Sequence, residues 1–229
     1  MNIVAIIPAR GGSKGIPKKN IINFCGKPLI YWSIKNAKEC NKINSVWVSS
    51  DNDEIISLAQ KFGAKCIKRP KDLSHSLASS ESAWLNAIDE IEKKEKIDYV
   101  VGIQATSPIR ESVDLSKAID LMLKNKYDSL FSSSVIRDRH IWEKNINNNY
   151  VPNNYDMNNR KPRQLIQEKY LENGSFWIFT PGLIKSKNNR LGGKIGNYIM
   201  EFYKSFQIDE PEDIKLCESV MKTFLINSI

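Results

Sequence analysis

Five apolar residues near the start of the chain, Ile3-Val4-Ala5-Ile6-Ile7, run without alternation into Pro8-Ala9-Arg10-Gly11-Gly12-Ser13-Lys14-Gly15-Ile16-Pro17-Lys18-Lys19-Asn20. A run this short cannot cross a bilayer, and a β-branched strand that is apolar on both faces must be covered on both faces. It predicts a buried parallel strand inside a sheet flanked by helices. The segment after it has the composition of an anion-binding loop. Its glycines allow backbone N–H groups to approach an anion closely. Arg10, Lys14, Lys18 and Lys19 repel one another unless a polyanion such as a triphosphate sits among them. The plain alternative is a glycine-rich surface turn with solvated lysines. The spacing is neither that of a Walker loop nor Gly-x-Gly-x-x-Gly, which excludes both of those nucleotide sites.

The rest of the chain continues the pattern. Apolar runs at 3–8, 45–49, 66–68, 99–104 and 129–135 predict strands, and segments at 28–40, 54–62, 80–93, 114–124 and 209–224 predict helices. The expected fold class is α/β, a mostly parallel sheet in a single domain over residues 1–229. Ser49-Ser50-Asp51 and residues 104–107 fall at the carboxyl ends of predicted strands, the edge where open parallel sheets bind ligands. Residues 137–169 break the rhythm. Asn147-Asn148-Asn149 and Asn153-Asn154 signal turns and exposed backbone, as in an inserted element.

The net charge of +8 invites a nucleic-acid or membrane reading, but its distribution argues against both. Much of the excess is gathered in the first loop, whereas Glu92-Lys93-Lys94-Glu95-Lys96 mixes signs as a solvated helix face does. No aromatic residue interleaves with the cations between Arg10 and Asn20, as a nucleic-acid surface would require. Cys25, Cys40, Cys66 and Cys217 are scattered and read as reduced thiols. With no secretory leader pattern at its start and no long apolar stretch, the chain is expected in the cytoplasm. His75 and His140 are isolated, so no nucleophilic triad is expected.

Five motifs in order carry a family resemblance. The first loop is followed by Arg69-Pro70-x-x-Leu73 with Ala78-Ser79-Ser80-Glu81, then by Gln104-Ala105-Thr106-Ser107-Pro108-Ile109-Arg110. Lys161-Pro162-Arg163-Gln164 with Tyr170-Leu171-Glu172-Asn173-Gly174-Ser175-Phe176 comes next, and Ile208-Asp209-Glu210-Pro211-Glu212-Asp213 last. The set resembles the CMP-sialic acid synthetases, the acylneuraminate cytidylyltransferases. That resemblance implies a Rossmann-like nucleotidyltransferase core and transfer of CMP from CTP to the anomeric hydroxyl of a nonulosonic, 2-keto-3-deoxy sugar acid, with release of pyrophosphate. It also implies a homodimer, in which residues 137–169 form a protruding dimerisation element that reaches the partner's site.

Carried onto this sequence, the resemblance assigns Arg10, Gly12, Ser13, Lys14, Lys19, Asn20, Arg69, Ser79 and Ser80 to the nucleotide. It assigns Gln104, Thr106, Ser107, Arg163, Tyr170, Asn173 and Phe176 to the sugar. Arg10, Lys19 and Asp209 would carry the chemistry, with Asp209 binding Mg2+. A cap on the last helix is the other reading of Asp209. The chain departs from the family at Gln207, where many members have the first acid of Asp-x-Asp; Glu210 or Asp51 could replace that carboxylate. Three alternatives stay open: activation of the eight-carbon acid Kdo, a nucleotide-binding regulator that has lost catalysis, and a basic nucleic-acid-binding module.

Overall fold

The computed structural model describes residues 1–13, 15–75 and 78–226. In chain order come β1 (Ile3–Pro8), β2 (Asn23–Phe24), β3 (Lys27–Pro28), α1 (Leu29–Glu39), β4 (Ser45–Ser50), α2 (Asp53–Lys61), β5 (Lys65–Lys68), α3 (Ser80–Glu92), β6 (Tyr99–Ile103), α4 (Ser112–Asn125) and β7 (Ser129–Ile136). They are followed by β8 (Trp142–Lys144), β9 (Tyr150–Pro152), β10 (Lys169–Phe179), α5 (Pro181–Lys187), β11 (Ile195–Met200) and α6 (Pro211–Met221). Seven strands form one sheet in the order β11-β7-β10-β6-β1-β4-β5. β1 pairs in parallel with β4 and β6, β4 with β5, and β11 with β7. β10 runs antiparallel to both its neighbours. The sheet is thus mostly parallel, as expected.

Successive side chains of β1 point to opposite faces, and both faces are buried. Ile3, Ala5 and Ile7 pack with Ile30 and Ile34 of α1, Ile55 of α2 and Leu115 of α4. Val4 and Ile6 pack on the other face with Trp84 and Ile88 of α3 and Ile184 of α5. This two-sided burial is why β1 is apolar throughout. A third cluster places Ile16, Phe24 and Trp32 against Ile208, Cys217 and Met221, so one small core joins the first loop to the segment carrying Asp209.

Three local details correct or extend the sequence reading. The last helix begins at Pro211 behind an N-cap at Glu210, so Asp209 is not the cap. Pro28 is the N-cap of α1 and lies outside its first turn. Within residues 137–169 the chain forms the β8–β9 hairpin and a short 3-10 turn at Arg163–Leu165, with Ile141, Trp142, Tyr150 and Leu165 exposed.

Candidate active site

A cavity of about 410 Å³ opens at the carboxyl edge of β1 and β6, the edge the sequence predicts. Its walls come from four of the five motifs. Arg10, Ser13, Gly15, Lys19 and Asn20 arrive from the first loop, and Arg69, Leu73, Ser74 and His75 from the turn after β5. Ala78, Ser79, Ser80 and Ala83 come from the start of α3, Gln104, Ala105 and Thr106 from the end of β6, and Asp209 from the last motif. Lys14 lies outside the described residues.

The loop holds its shape through backbone contacts, and Arg10 and Lys19 of the loop line the cavity. The Gly11 N–H donates to Asp51 Oδ1 at 2.9 Å, and the Asn20 side chain, 7 % exposed, donates to the Arg10 carbonyl at 3.0 Å. Arg10 Nη1 donates to the His75 carbonyl at 3.2 Å, tying the loop to the opposite wall. A Cβ at Gly15 would lie 2.9 Å from the Asp209 carbonyl, so only glycine allows the loop to pass this close to the last motif. Lys19 Nζ donates to Asp209 Oδ1 and to the Ile208 carbonyl, each at 2.9 Å. Gly12 is exposed and does not line the cavity, and Lys18 pairs with Glu54 at 2.7 Å.

Arg69 is 4 % exposed, and its Nε donates to Ser74 Oγ at 2.9 Å. Burial pulls its pKa down, with nearby Arg10 acting in the same sense and Asp51 opposing it. Among the described residues its two Nη atoms make no hydrogen bond, so this cation is held at the cavity with donors to spare. The Ser79 hydroxyl accepts from the Ser82 N–H at 3.1 Å and so caps α3, whose N-terminus opens on the cavity. A helix N-terminus presents unpaired N–H groups and a partial positive charge, both favourable to phosphate.

Not every residue assigned to the sugar reaches this space. Gln104 and Thr106 line it. Ser107, Asn173 and Phe176 are placed behind its wall, with 1 %, 1 % and 0 % exposure. Ser107 Oγ donates to the Gly174 carbonyl, and Asn173 Oδ1 accepts from Ser132 Oγ at 2.6 Å and from the Ser175 N–H at 3.1 Å. Phe176 packs against Tyr198. In this structure their polar groups and ring surface are engaged in the core. Arg163 and Tyr170 are exposed on and beside the inserted element and do not line the cavity.

The sequence reading missed Arg110. Its side chain is 1 % exposed and donates to the Gln104 carbonyl at 2.6 Å, the Ser107 carbonyl at 2.5 Å and Ser175 Oγ at 2.9 Å. It fixes the turn that presents Gln104 and Thr106. An arginine closing a motif suggests a ligand contact, so its structural use could not be read from spacing. His75, set aside as isolated in sequence, also lines the cavity.

Magnesium takes hard oxygen donors, one or two carboxylates among them. Among the described residues no group of three or more His, Cys, Asp or Glu is assembled. Asp51 accepts from the Gly11 N–H and Glu210 belongs to the capping box of α6, so each already holds a backbone N–H, and neither lines the cavity. Among the described residues Asp209 alone offers an exposed carboxylate in the cavity, and it already attracts a cation, the Lys19 ammonium. One carboxylate fits an ion that takes most of its ligands from phosphates and water.

A mostly parallel α/β sheet with a cationic cavity at its carboxyl edge defines a Rossmann-like nucleotidyltransferase core. The family profile described as cytidylyltransferase matches residues 4–228, and the chain belongs to that family. N-acylneuraminate cytidylyltransferase A of Danio rerio is 39 % identical over 227 residues, covering 97 % of this chain and 51 % of the relative. Pseudaminic acid cytidylyltransferase of Campylobacter jejuni is 43 % identical over 136 residues, 58 % of this chain and 59 % of the relative. The chain therefore spans about half the length of the fish protein. The structure of CMP:2-keto-3-deoxy-manno-octonic acid synthetase complexed with CTP matches with a TM-score of 0.73 at 16 % identity, over 98 % of this chain and 100 % of that one, which shows a shared fold.

Proposed function

We propose that this chain transfers CMP from CTP to the anomeric hydroxyl of a sialic-acid-like nonulosonic acid. The observation that carries this reading is the convergence of Arg10, Lys19, Arg69 and the α3 N-terminus on one cavity, against the single lining carboxylate of Asp209. That excess of fixed positive charge suits a triphosphate. In the transfer, the anomeric oxygen forms a bond to the α-phosphorus while the bond from that phosphorus to the bridging oxygen breaks. Pyrophosphate leaves, and the hydroxyl proton passes to solvent. Such a reaction needs positioning and charge neutralisation more than a protein nucleophile.

Arg10 and Lys19 neutralise the phosphates, and Arg69, Ser79 and Ser80 hold the nucleotide from the facing wall. Gln104 and Thr106 receive the sugar. Asp209 would hold Mg2+, which when bound adds charge neutralisation at the phosphates and lowers the pKa of the attacking hydroxyl. Lys19 would then give up its bond to the Asp209 carboxylate and turn to the phosphates.

The functional unit in this proposal is a homodimer, with Arg163 and Tyr170 serving the neighbouring copy's sugar. Exposed apolar side chains at Ile141, Trp142, Tyr150, Leu165, Tyr170 and Leu171 support a covered face. The cytoplasm is the proposed compartment. The four cysteines are unpaired, and burial pushes the Cys25 and Cys217 thiols up to about 11 and about 12, which keeps them protonated. No helix among the described residues is long and apolar enough to cross a membrane.

A pyrophosphate-release assay with CTP, UTP, ATP and GTP against eight- and nine-carbon 2-keto-3-deoxy acids tests the reading. CTP-selective release with a nine-carbon acid is expected. Release with the eight-carbon acid alone would make it a Kdo-type enzyme. CTP binding without release from any acid would leave a regulator, and no preference for CTP would overturn the nucleotide assignment.

A further inference from the structure

Gln207 stands where the resembling family keeps an acid, and the proposed chemistry gives it no part. We infer that Gln207 is a positioning residue that locks the Gln104 amide with its carbonyl oxygen towards the cavity, so that the site selects a sugar acid offering a hydroxyl or amide N–H donor there. The inference rests on the proposed role of Gln104 as a sugar contact.

The polarity of each bond follows from the one before it. The Asn173 carbonyl can only accept, so the Gln207 atom 2.9 Å from it must be the amide nitrogen. That turns Gln207 Oε1 towards Gln104, where it lies 3.2 Å from Nε2. An amide oxygen can only accept, so Gln104 must present its nitrogen. Thr106 Oγ1 takes a second bond from the same nitrogen at 2.7 Å. Both Gln104 amide protons are then used, and Gln104 Oε1, without a hydrogen bond among the described residues, is what remains for a ligand in the cavity that Gln104 lines.

The surrounding backbone is shaped for this contact. Gly174 has φ +62°, and a Cβ there would lie 2.6 Å from Gln207 Nε2, so only glycine lets the strand and the amide meet. The neighbouring Ile208 N–H donates to the Thr106 carbonyl at 2.8 Å, which fixes the spacing between the two segments. An aspartate at 207 would have no proton for the Asn173 carbonyl and would lose that tie to β10. The glutamine is therefore an exchange of roles, a metal-side acid for a sugar-side anchor.

Side-chain amide NMR of the full 15N-labelled chain without ligands tests the lock directly. The Gln104 pair, assigned by its loss in Gln104→Ala, should be shifted and protected from exchange. Gln207→Met, similar in size but unable to pair, should return it to the position of a free amide, while Gln207→Glu, which keeps an oxygen towards Gln104, should hold it. A Gln104 pair indifferent to Gln207→Met overturns the inference whatever the enzyme's activity. With the acid found by the release assay, Gln207→Met should raise the KM for that acid about tenfold and the KM for CTP by less than about twofold. In a Gln104→Ala background it should add nothing, and additive effects would overturn the inference. If the wild type releases pyrophosphate with no acid, the proposed function falls, and the NMR result still decides this one.

Discussion

Lys19 and Asp209 lie 190 residues apart in sequence and meet through a 2.9 Å ion pair at the mouth of the cavity. Lys19 is mostly covered and held by three acceptors, whereas Asp209 is 66 % exposed. Lys19→Ala should therefore leave thermal unfolding nearly unchanged and weaken CTP binding. A charge-assisted hydrogen bond is worth roughly 1.5–3 kcal/mol, so calorimetry should show about ten- to a hundredfold loss of affinity. Unchanged affinity would remove Lys19 from the phosphate site. Asp209→Asn keeps the shape, and because Glu210 and not Asp209 caps α6, helix stability is not at stake. Turnover measured against magnesium concentration should fall by at least about a hundredfold, since an amide is a poor ligand for a hard cation. Near-normal turnover at low magnesium would place the metal elsewhere. The loop was legible in sequence as four like charges beside glycines, of which Arg10 and Lys19 line the cavity and Lys18 pairs with Glu54. The committed side chains of Ser107, Asn173 and Phe176 were not, since sequence order does not tell which side of a wall a residue faces.

At the scale of elements, the capping of α6 sets the position of the segment that carries Asp209. The Asp213 carboxylate accepts from the backbone N–H groups of Asp209 and Glu210 at 2.9 and 2.8 Å. The Glu210 and Asp209 N–H donors hold its pKa below the ordinary value of 3.8. A depressed carboxylate adds stability above its unfolded pKa and loses it as pH falls through the folded value. The stability advantage of wild type over Asp213→Asn should accordingly be flat above about pH 5 and shrink below pH 3.8 in chemical unfolding. A gap that widens in acid would contradict this. β1, β4, β5, β6 and β7 were readable because each is an apolar run, whereas β11 and α5 were not among the predicted elements. β10 was not among the predicted strands. Its centre, Glu172-Asn173-Gly174, has the chemistry of a turn, yet it forms an irregularity in which the four residues between Glu172 and Trp177 pass the single β7 residue between Ser133 and Phe131. Turn residues mark a bulge as well as a chain reversal, and only pairing across the sheet separates the two.

At the scale of the whole molecule, Arg163 and Tyr170 stand apart from the cavity of their own chain, and in the proposed homodimer they would serve the neighbouring copy's sugar. Arg163→Ala should raise the KM for the sugar acid at least about tenfold with little change for CTP. Mixed dimers of Arg163→Ala with Lys19→Ala should regain part of the activity, because one hybrid site has both halves intact; no recovery in verified mixed dimers would contradict shared sites. The insertion at residues 137–169 was visible in sequence as a break in apolar rhythm, but its hairpin was not, since asparagine-rich turns do not fix which strands pair. The central claim is the transfer itself, and the most direct measurement follows the oxygen. A 2-keto-3-deoxy nine-carbon acid carrying 18O at its anomeric hydroxyl is incubated with CTP and magnesium, and the product is analysed by mass spectrometry and 31P NMR. Attack on the α-phosphorus predicts one pyrophosphate per CMP-sugar, with 18O in the bridge between sugar and phosphorus. Pyrophosphate without CMP-sugar, or a bridge oxygen drawn from CTP, would contradict the account.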